Sequence, residues 1–387
     1  MSNQPPVLGP DGVARPYIGG QALIEGVMMR SPHSFVAAVR RQDGTLTLRE
    51  RSMPDLRRGV RAWPIVRGMM SLVEALKLGS EALRFSADTY ERDFEEKDAR
   101  ERAAQADPKP LEDAAKKPSV LAALSLPVLA LLTSEPGDLQ GVGSSDKPED
   151  PKRKLYTVLA VLFAIGLFIA LPQAFAWGTS GLFGLDLDVR EPRFQLLTGL
   201  GKLLIVIGYM LAIRRMPEIY RVFQYHGAEH KAIYTYEAGE TLSVANARPK
   251  TTLHPRCGTT FLVMVALVSI LVFSALGPLM PQLGLGALGD NLLFLVMKLP
   301  FLPLIAAITF EIQRVLARRC SKGPLRALLW PGFLVQKITT IEPDDAQLEI
   351  ALAALQSTLD NESKGEPPAA AVERSFEGFD ALVRARS

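Results

Sequence analysis

"LYTVLAVLFAIGLFIALPQAFAW", residues 155–177, carries no charged residue and is introduced by Lys152-Arg153-Lys154. Crossing the hydrocarbon core of a bilayer takes roughly 20 apolar residues of helix, and this run has the length. Three further stretches match it: "FQLLTGLGKLLIVIGYMLAI" (194–213), "FLVMVALVSILVFSALGPLM" (261–280) and "LLFLVMKLPFLPLIAAITFEI" (292–312). Lipid offers the backbone no hydrogen-bond partner, so each run is expected to form a helix. The chain is therefore read as mainly α, an integral membrane protein with four transmembrane helices. Another apolar stretch, "SVLAALSLPVLALLTS" (119–134), is short and holds Pro127. It is expected to be interfacial or re-entrant rather than a fifth span.

Orientation follows from the basic residues, which accumulate on the cytoplasmic side of membrane proteins. Arg214, Arg215 and Arg221 follow the second run; Arg314, Arg318, Arg319 and Lys322 follow the fourth. The opposite loops carry only Arg190 and Arg193, and "PQLGLGALGDN" (281–291) has no basic residue. A multi-pass protein of the inner (cytoplasmic) membrane is expected, with both termini and the 214–260 segment cytoplasmic. No secretion signal is legible in "MSNQPPVLGPDGVARPYIGG". The two cysteines, Cys257 and Cys320, would then face a reducing compartment, which argues against a disulfide. Net charge is only +3, and the basic clusters stand beside apolar segments. Lipid, not nucleic acid, is the expected partner; a substrate or protein partner has no signature of its own. Lys202 and Lys298 fall inside apolar runs, where a lysine either snorkels outward or faces the bundle and marks a pathway. Outward snorkelling is expected for Lys298; both readings stay open for Lys202.

The soluble parts read as a small α+β portion. "SFVAAVRRQDGTLTLRERSM" places two β-rich runs around Asp43-Gly44, a hairpin signal. "YIGGQALIEGVMMRSPH" before it has paired glycines and a carboxylate, Glu25, inside an apolar run. Glu25 is either an edge residue facing water or a ligand or base delivered to a site. Residues 65–90 have apolar side chains at helical spacing and basic residues at their entrance, an amphipathic helix suited to a membrane surface. Residues 91–118 and 134–151 read as linkers. "EPDDAQLEIALAALQSTL" has acidic residues in its first turn, as a C-terminal amphipathic helix should. The chain thus divides into 1–90 (hairpin plus amphipathic helix), 91–154 (linker), 155–320 (membrane domain with the 214–260 insert), 321–360 (C-terminal helix) and 361–387 (disordered tail).

"QYHGAEHKAIYTYEAG" (224–239) concentrates the chemistry. Two of the four histidines, His226 and His230, stand one helical turn apart on the face of Ile219, Val222, Phe223 and Ile233. Imidazoles at that spacing commonly share one divalent ion. The pattern His-x-x-Glu-His inverts the zinc-protease motif, in which the glutamate takes a proton from a water that the ion acidifies. "HPRCGTTF" adds His254 and Cys257 in a tight turn just before the third apolar run. His226, His230, His254 and Cys257 are therefore the candidate ligands of a divalent metal, with zinc expected, and Glu229 is the candidate base. Four ligands would make a closed structural site; three plus water would make a catalytic one. Glu229 and the further carboxylate Glu237 favour catalysis. Two other readings compete: a merely hydrogen-bonded histidine face, and Cys257 as a nucleophile with His254 or His226 as its base.

"GGQALIEGVMMRSP", "YHGAEHKAIYTYEAGE", "HPRCGTTF" and "PGFLVQKITTIEPDDAQLEIALAAL" together resemble the YqhQ-like bacterial membrane proteins, the DUF1385 family, across most of residues 17–357. The resemblance implies a predicted metal-dependent enzyme whose site joins His226, Glu229, His230, His254 and Cys257. It implies no substrate. A metal-dependent membrane hydrolase, perhaps a peptidase, at the cytoplasmic boundary is the leading expectation. A non-catalytic assembly or scaffold protein with a structural metal site is the alternative, and a transporter built on Lys202 and Lys298 the third.

Overall fold

A computed structural model of the chain describes residues 7–8, 12–53, 63–104, 159, 162–281, 283–319, 324–364 and 371–386. The 119–134 stretch and Cys320 lie outside these residues, so the expectations placed on them are not addressed.

Among the described residues, four helical stretches are long and apolar enough to cross a membrane: Leu162–Leu182, Pro192–Ile213, Gly258–Leu279 and Leu288–Leu316. Only 17% to 33% of each is buried within the protein. Leu204 and Leu271 are 62% and 71% exposed, side chains that water would not tolerate in such numbers but lipid covers. This is a membrane protein. The first span ends in α2 (Leu171–Leu182), after a wider turn at Gly166–Ala170. The second is α3 (Pro192–Ile213) and the third α6 (Gly258–Leu276). The fourth is broken: α7 (Gly286–Lys298) and α8 (Leu302–Arg319) flank a tighter turn, Leu299–Phe301. Pro300 and Pro303 lack the N–H that a continuous helix needs there.

Outside the spans, β1 (Val7–Leu8) pairs with β2 (Ala14–Arg15), and five further strands form an antiparallel sheet in the order β3-β4-β5-β6-β7. These are β3 (Gly19–Leu23), β4 (Gly26–Arg30), β5 (Ser34–Arg40), β6 (Leu46–Ser52) and β7 (Val372–Phe376). The expected turn at Asp43-Gly44 joins β5 to β6, with Gly44 at φ 87° and Asp43 Oδ1 accepting from Thr45 N–H at 2.9 Å. Successive side chains of a strand face opposite ways, and here both faces are covered. Val27, Met29, Val36 and Ala38 pack toward α4 (Pro217–Glu237) and α10 (Asp345–Lys364). Met28, Phe35, Ala37 and Val39 pack against Leu78, Ala82 and Phe85 of α1 (Pro64–Ala104). Burial on two sides is why these strands are apolar throughout rather than alternating.

Two expectations need correction. The 65–90 helix is not a surface-lying piece that ends where a linker starts. α1 runs 41 residues to Ala104, helped by pairs such as Glu96–Arg100 at 3.8 Å in its charged half. Its first turns pack on the fourth span: Arg67 donates to both carboxylate oxygens of Glu311 at 3.0 and 2.7 Å, and Gly68 abuts the Ala307 backbone. α1 is a strut from span to sheet. The C-terminal helix is amphipathic as expected, with Leu348 and Ile350 through Leu355 buried between the sheet and α4 and a narrow polar stripe, Asp345, Glu349, Gln356 and Asp360, turned outward. It follows α9 (Trp330–Thr339). Residues 372–386, expected to be disordered, form β7 on β6 and α11 (Phe379–Arg386). Without β7, β6 would be an unpaired edge.

Glu25 is neither a solvent-facing edge residue nor a ligand. It sits in the β3–β4 turn at φ 52°, a backbone region that costs a non-glycine residue strain. Its carboxylate accepts two hydrogen bonds from Arg221 of α4, both 2.5 Å, and one from the Tyr225 hydroxyl at 3.2 Å. The turn thereby clamps the sheet to the helix that carries the histidines.

Candidate metal centre

α4 begins at Pro217, continues the chain from α3, and is buried on almost every side past its first turn. Gly227 lets Ile341 pass against it, and Ile341 N–H donates to Phe223 O at 3.0 Å. The Leu253–Cys257 turn is brought to α4 by two glutamines. Gln336 of α9 accepts from His254 N–H at 2.8 Å and donates to His254 O at 2.7 Å; Gln313 of α8 donates to Cys257 O at 3.0 Å. Cys257 then caps α6.

The result is a compact group. The ligand atoms of His226, His230 and Cys257 all lie within 4.8 Å of one another, and all three residues are buried. His226 Nε2 is 3.1 Å from Cys257 Sγ. Tetrahedral zinc with bonds of 2.0–2.3 Å would place its nitrogen and sulfur ligands roughly 3.3–3.6 Å apart, so a shared ion needs these two atoms to part by only a few tenths of an ångström. Each imidazole is also aimed. His226 Nδ1 meets Thr339 O at 3.0 Å, and His230 Nδ1 meets Thr252 O. A carbonyl only accepts, so both Nδ1 atoms carry the proton and both Nε2 lone pairs are turned to Cys257, on the side where an ion would sit. These residues could hold a metal ion.

His254 is nearby but differently engaged. Its ring stands 5.4 Å from that of His230 and 4.8 Å from that of Tyr234, centroid to centroid. Nδ1 accepts from Arg256 N–H at 3.4 Å, and Nε2 lies 3.8 Å from Glu237, which Arg256 also binds. It lines the cavity without joining the three clustered ligand atoms. Glu229 lines the same cavity, opposite Ile18, Gly19 and Gly20. About 10 Å³ is open to the centre of a water-sized sphere, room for one water or ion. Lys231 points away, pairing with Glu342 and donating to Arg248 O at 2.7 Å.

Burial, which penalises the charged imidazole, pushes His226 and His230 down to about 4 from 6.5. For Cys257 burial alone would push the thiol up. His230 and the Thr259 hydroxyl and N–H overcome it, and the net shift is downward. The histidines make an acid-stability prediction for metal-free protein. Their folded pKa lies below the unfolded value, so between about pH 6.5 and 4 the unfolded chain binds more protons. Stability is fully present above that window and falls as pH drops through it, by on the order of 3 kcal/mol per imidazole. Chemical-denaturation midpoints at pH 7 and pH 4.5 check this; equal midpoints would contradict it.

The sequence points to candidate ligands but not to the groups that hold them in place. Of these supports, Gln336 and Thr339 lie within the "PGFLVQKITT" block and Thr252 and Gln313 in no motif, and a backbone carbonyl or a lone glutamine carries no signature of such a role. The paired glycines Gly19-Gly20 were visible but had no stated purpose. A Cβ on Gly20 would lie 2.7 Å from Glu229 Cγ and Oε1, so glycine there is what admits the carboxylate.

With this geometry in view, comparison with known proteins is informative. Residues 63–361 match the family described as "Protein of unknown function (DUF1385)". The chain belongs to the DUF1385 family. It is 30% identical over 356 residues to "Uncharacterized protein YqhQ" of Bacillus subtilis (strain 168), covering 91% of this chain and 95% of that relative. No solved structure matches it. The matched region of this DUF1385 protein holds α1, all four spans and the whole His226–Cys257 group; the β3–β6 strands precede it.

Proposed function

We propose that this DUF1385 protein is a metal-dependent hydrolase, with peptides the leading substrate class, working at the cytoplasmic boundary of the inner membrane. The observation that carries the reading is a set of three buried ligand atoms sharing a one-water cavity with the carboxylate of Glu229. Three protein ligands beside a cavity with room for one water suit catalysis better than a closed four-ligand site. Zinc is the proposed ion, by its preference for imidazole and thiolate. A bound divalent ion would supply Lewis-acid polarisation and acidify water. His226, His230 and the Cys257 thiolate would hold it, and Glu229 would take the proton and return it to the leaving group. His254, paired with Glu237, is proposed as a positioning group at the cavity wall. Orientation rests on the basic residues beside the spans, above all Arg214, Arg215 and Arg314.

Metal analysis of protein purified in mild detergent tests the reading. About one zinc per chain is expected; a folded, metal-free preparation unable to take up zinc would remove it. A sharper prediction concerns Gly20→Ala. The three atoms nearest the new methyl group all belong to the Glu229 side chain, with Cγ and Oε1 at 2.7 Å, so that side chain must shift, and metal content should stay as it is while hydrolysis falls at least about tenfold. Unchanged turnover of a susceptible peptide would detach Glu229 from the chemistry. A non-catalytic scaffold remains the second reading, favoured by the way the group ties the 254–257 turn to α4.

A further inference from the structure

A second polar cavity lies inside the membrane domain, away from the histidines. Gln195, Thr198, Gly199 and Lys202 of the second span, Ser269 of the third and Lys298 of the fourth line it. Lysine within lipid is costly, and side chains of this kind usually face a pathway or a bound ligand. Snorkelling does not describe Lys298. It is 5% exposed, donates to Gln173 Oε1 at 3.1 Å, and lies 4.7 Å and 5.2 Å from the ring centres of Phe294 and Phe273. An amide oxygen and two aromatic faces are favourable company for a buried ammonium. Gln173 is itself held by donating to Asn291 O at 2.6 Å. Lys202 lines the same cavity, and among the described residues it makes no hydrogen bond or ion pair.

Two cationic side chains therefore converge on one space whose lining contains no carboxylate. Like charges so placed repel each other unless something negative lies between them. Hydroxyls of Thr198 and Ser269 add further polar lining. Lys202 stands mid-way along the 22-residue second span, roughly 15 Å from either end at helical rise. That is too deep for the headgroup of a lipid resting in its own leaflet. The opening is also small: about 20 Å³ accepts the centre of a water-sized sphere. The fourth span breaks immediately beside the cavity, at Leu299–Phe301, and broken helices commonly border mid-membrane ion sites. We infer that Lys202 and Lys298 form an intramembrane binding site for a small free anion of chloride size.

The full chain in nanodiscs of phosphatidylcholine alone provides the test. Chloride replaces gluconate at constant ionic strength while thermal unfolding is followed. A ligand bound only by the folded state raises the midpoint in proportion to the logarithm of its concentration, and a rise of several degrees is expected. Lys202→Met and Lys298→Met should each abolish the chloride response. Lys202→Met should also unfold at a higher temperature than the parent in gluconate, because it removes a half-buried charge that has no ion-pair partner among the described residues. Should Lys298→Met fail to fold, Lys202→Met carries the test alone. Identical midpoints in the two salts would overturn the inference, as would a chloride response that survives Lys202→Met. Stabilisation seen only when phosphatidylglycerol is added would overturn it in favour of a lipid headgroup.

Discussion

Replacing His230 by alanine is expected to strip the protein of bound metal, lowering zinc affinity by more than about 100-fold. Loss of mere outer hydrogen bonds around a metal ligand costs 10- to 100-fold, and His230 is one of three candidates for direct contact. Its Nδ1 is already committed to Thr252 O, so its Nε2 is the atom presented to the cavity. No described residue is poised to replace it, since His254 is turned to Arg256 and Glu237. The measurement is metal content after dialysis against a graded zinc buffer, with secondary structure followed in parallel. The same variant should flatten the acid dependence of metal-free stability, because one of the two depressed imidazoles is gone. Retention of a full complement of tightly bound zinc would end the assignment of this group as a metal centre.

Glu229→Gln separates an enzyme from a scaffold. Glutamine matches the carboxylate in shape and fits the same space over Gly20, but it cannot accept a proton. Metal content should therefore be preserved, while hydrolysis falls by about 10²- to 10⁴-fold, the usual worth of a general base. A peptide library incubated with reconstituted protein, read by mass spectrometry for new termini, gives the rate. Parent and variant cutting equally well would relieve Glu229 of its proposed role. No cutting by either, with metal present in both, would favour the scaffold reading.

The membrane helices were legible because each is a long run of one chemical character, a signal that needs no knowledge of neighbours. The β5–β6 hairpin was legible for a similar reason: Asp43-Gly44 encodes its own turn. Errors gathered where a segment's environment, not its composition, decides its state. The charged half of α1 reads as solvated linker until Asp93, 6% exposed, is seen binding Arg41 at 2.7 Å. The last strand reads as tail because the edge of β6 that it completes lies more than 300 residues away in sequence. Glu25 was misjudged because its partner Arg221 is equally remote.

Local spacing was enough to put two imidazoles on one face of a helix, one turn apart, because helical periodicity is a property of the backbone alone. Nothing local could say where Cys257 would land, or that His254 beside it would turn toward Glu237 instead. Those outcomes depend on Gln336 and Gln313 gripping the turn from two other helices, and on Gly20 leaving room for Glu229. Such contacts are short-ranged in space and unconstrained in sequence. A chain can therefore announce which residue types it will use at a site well before it shows which of them meet.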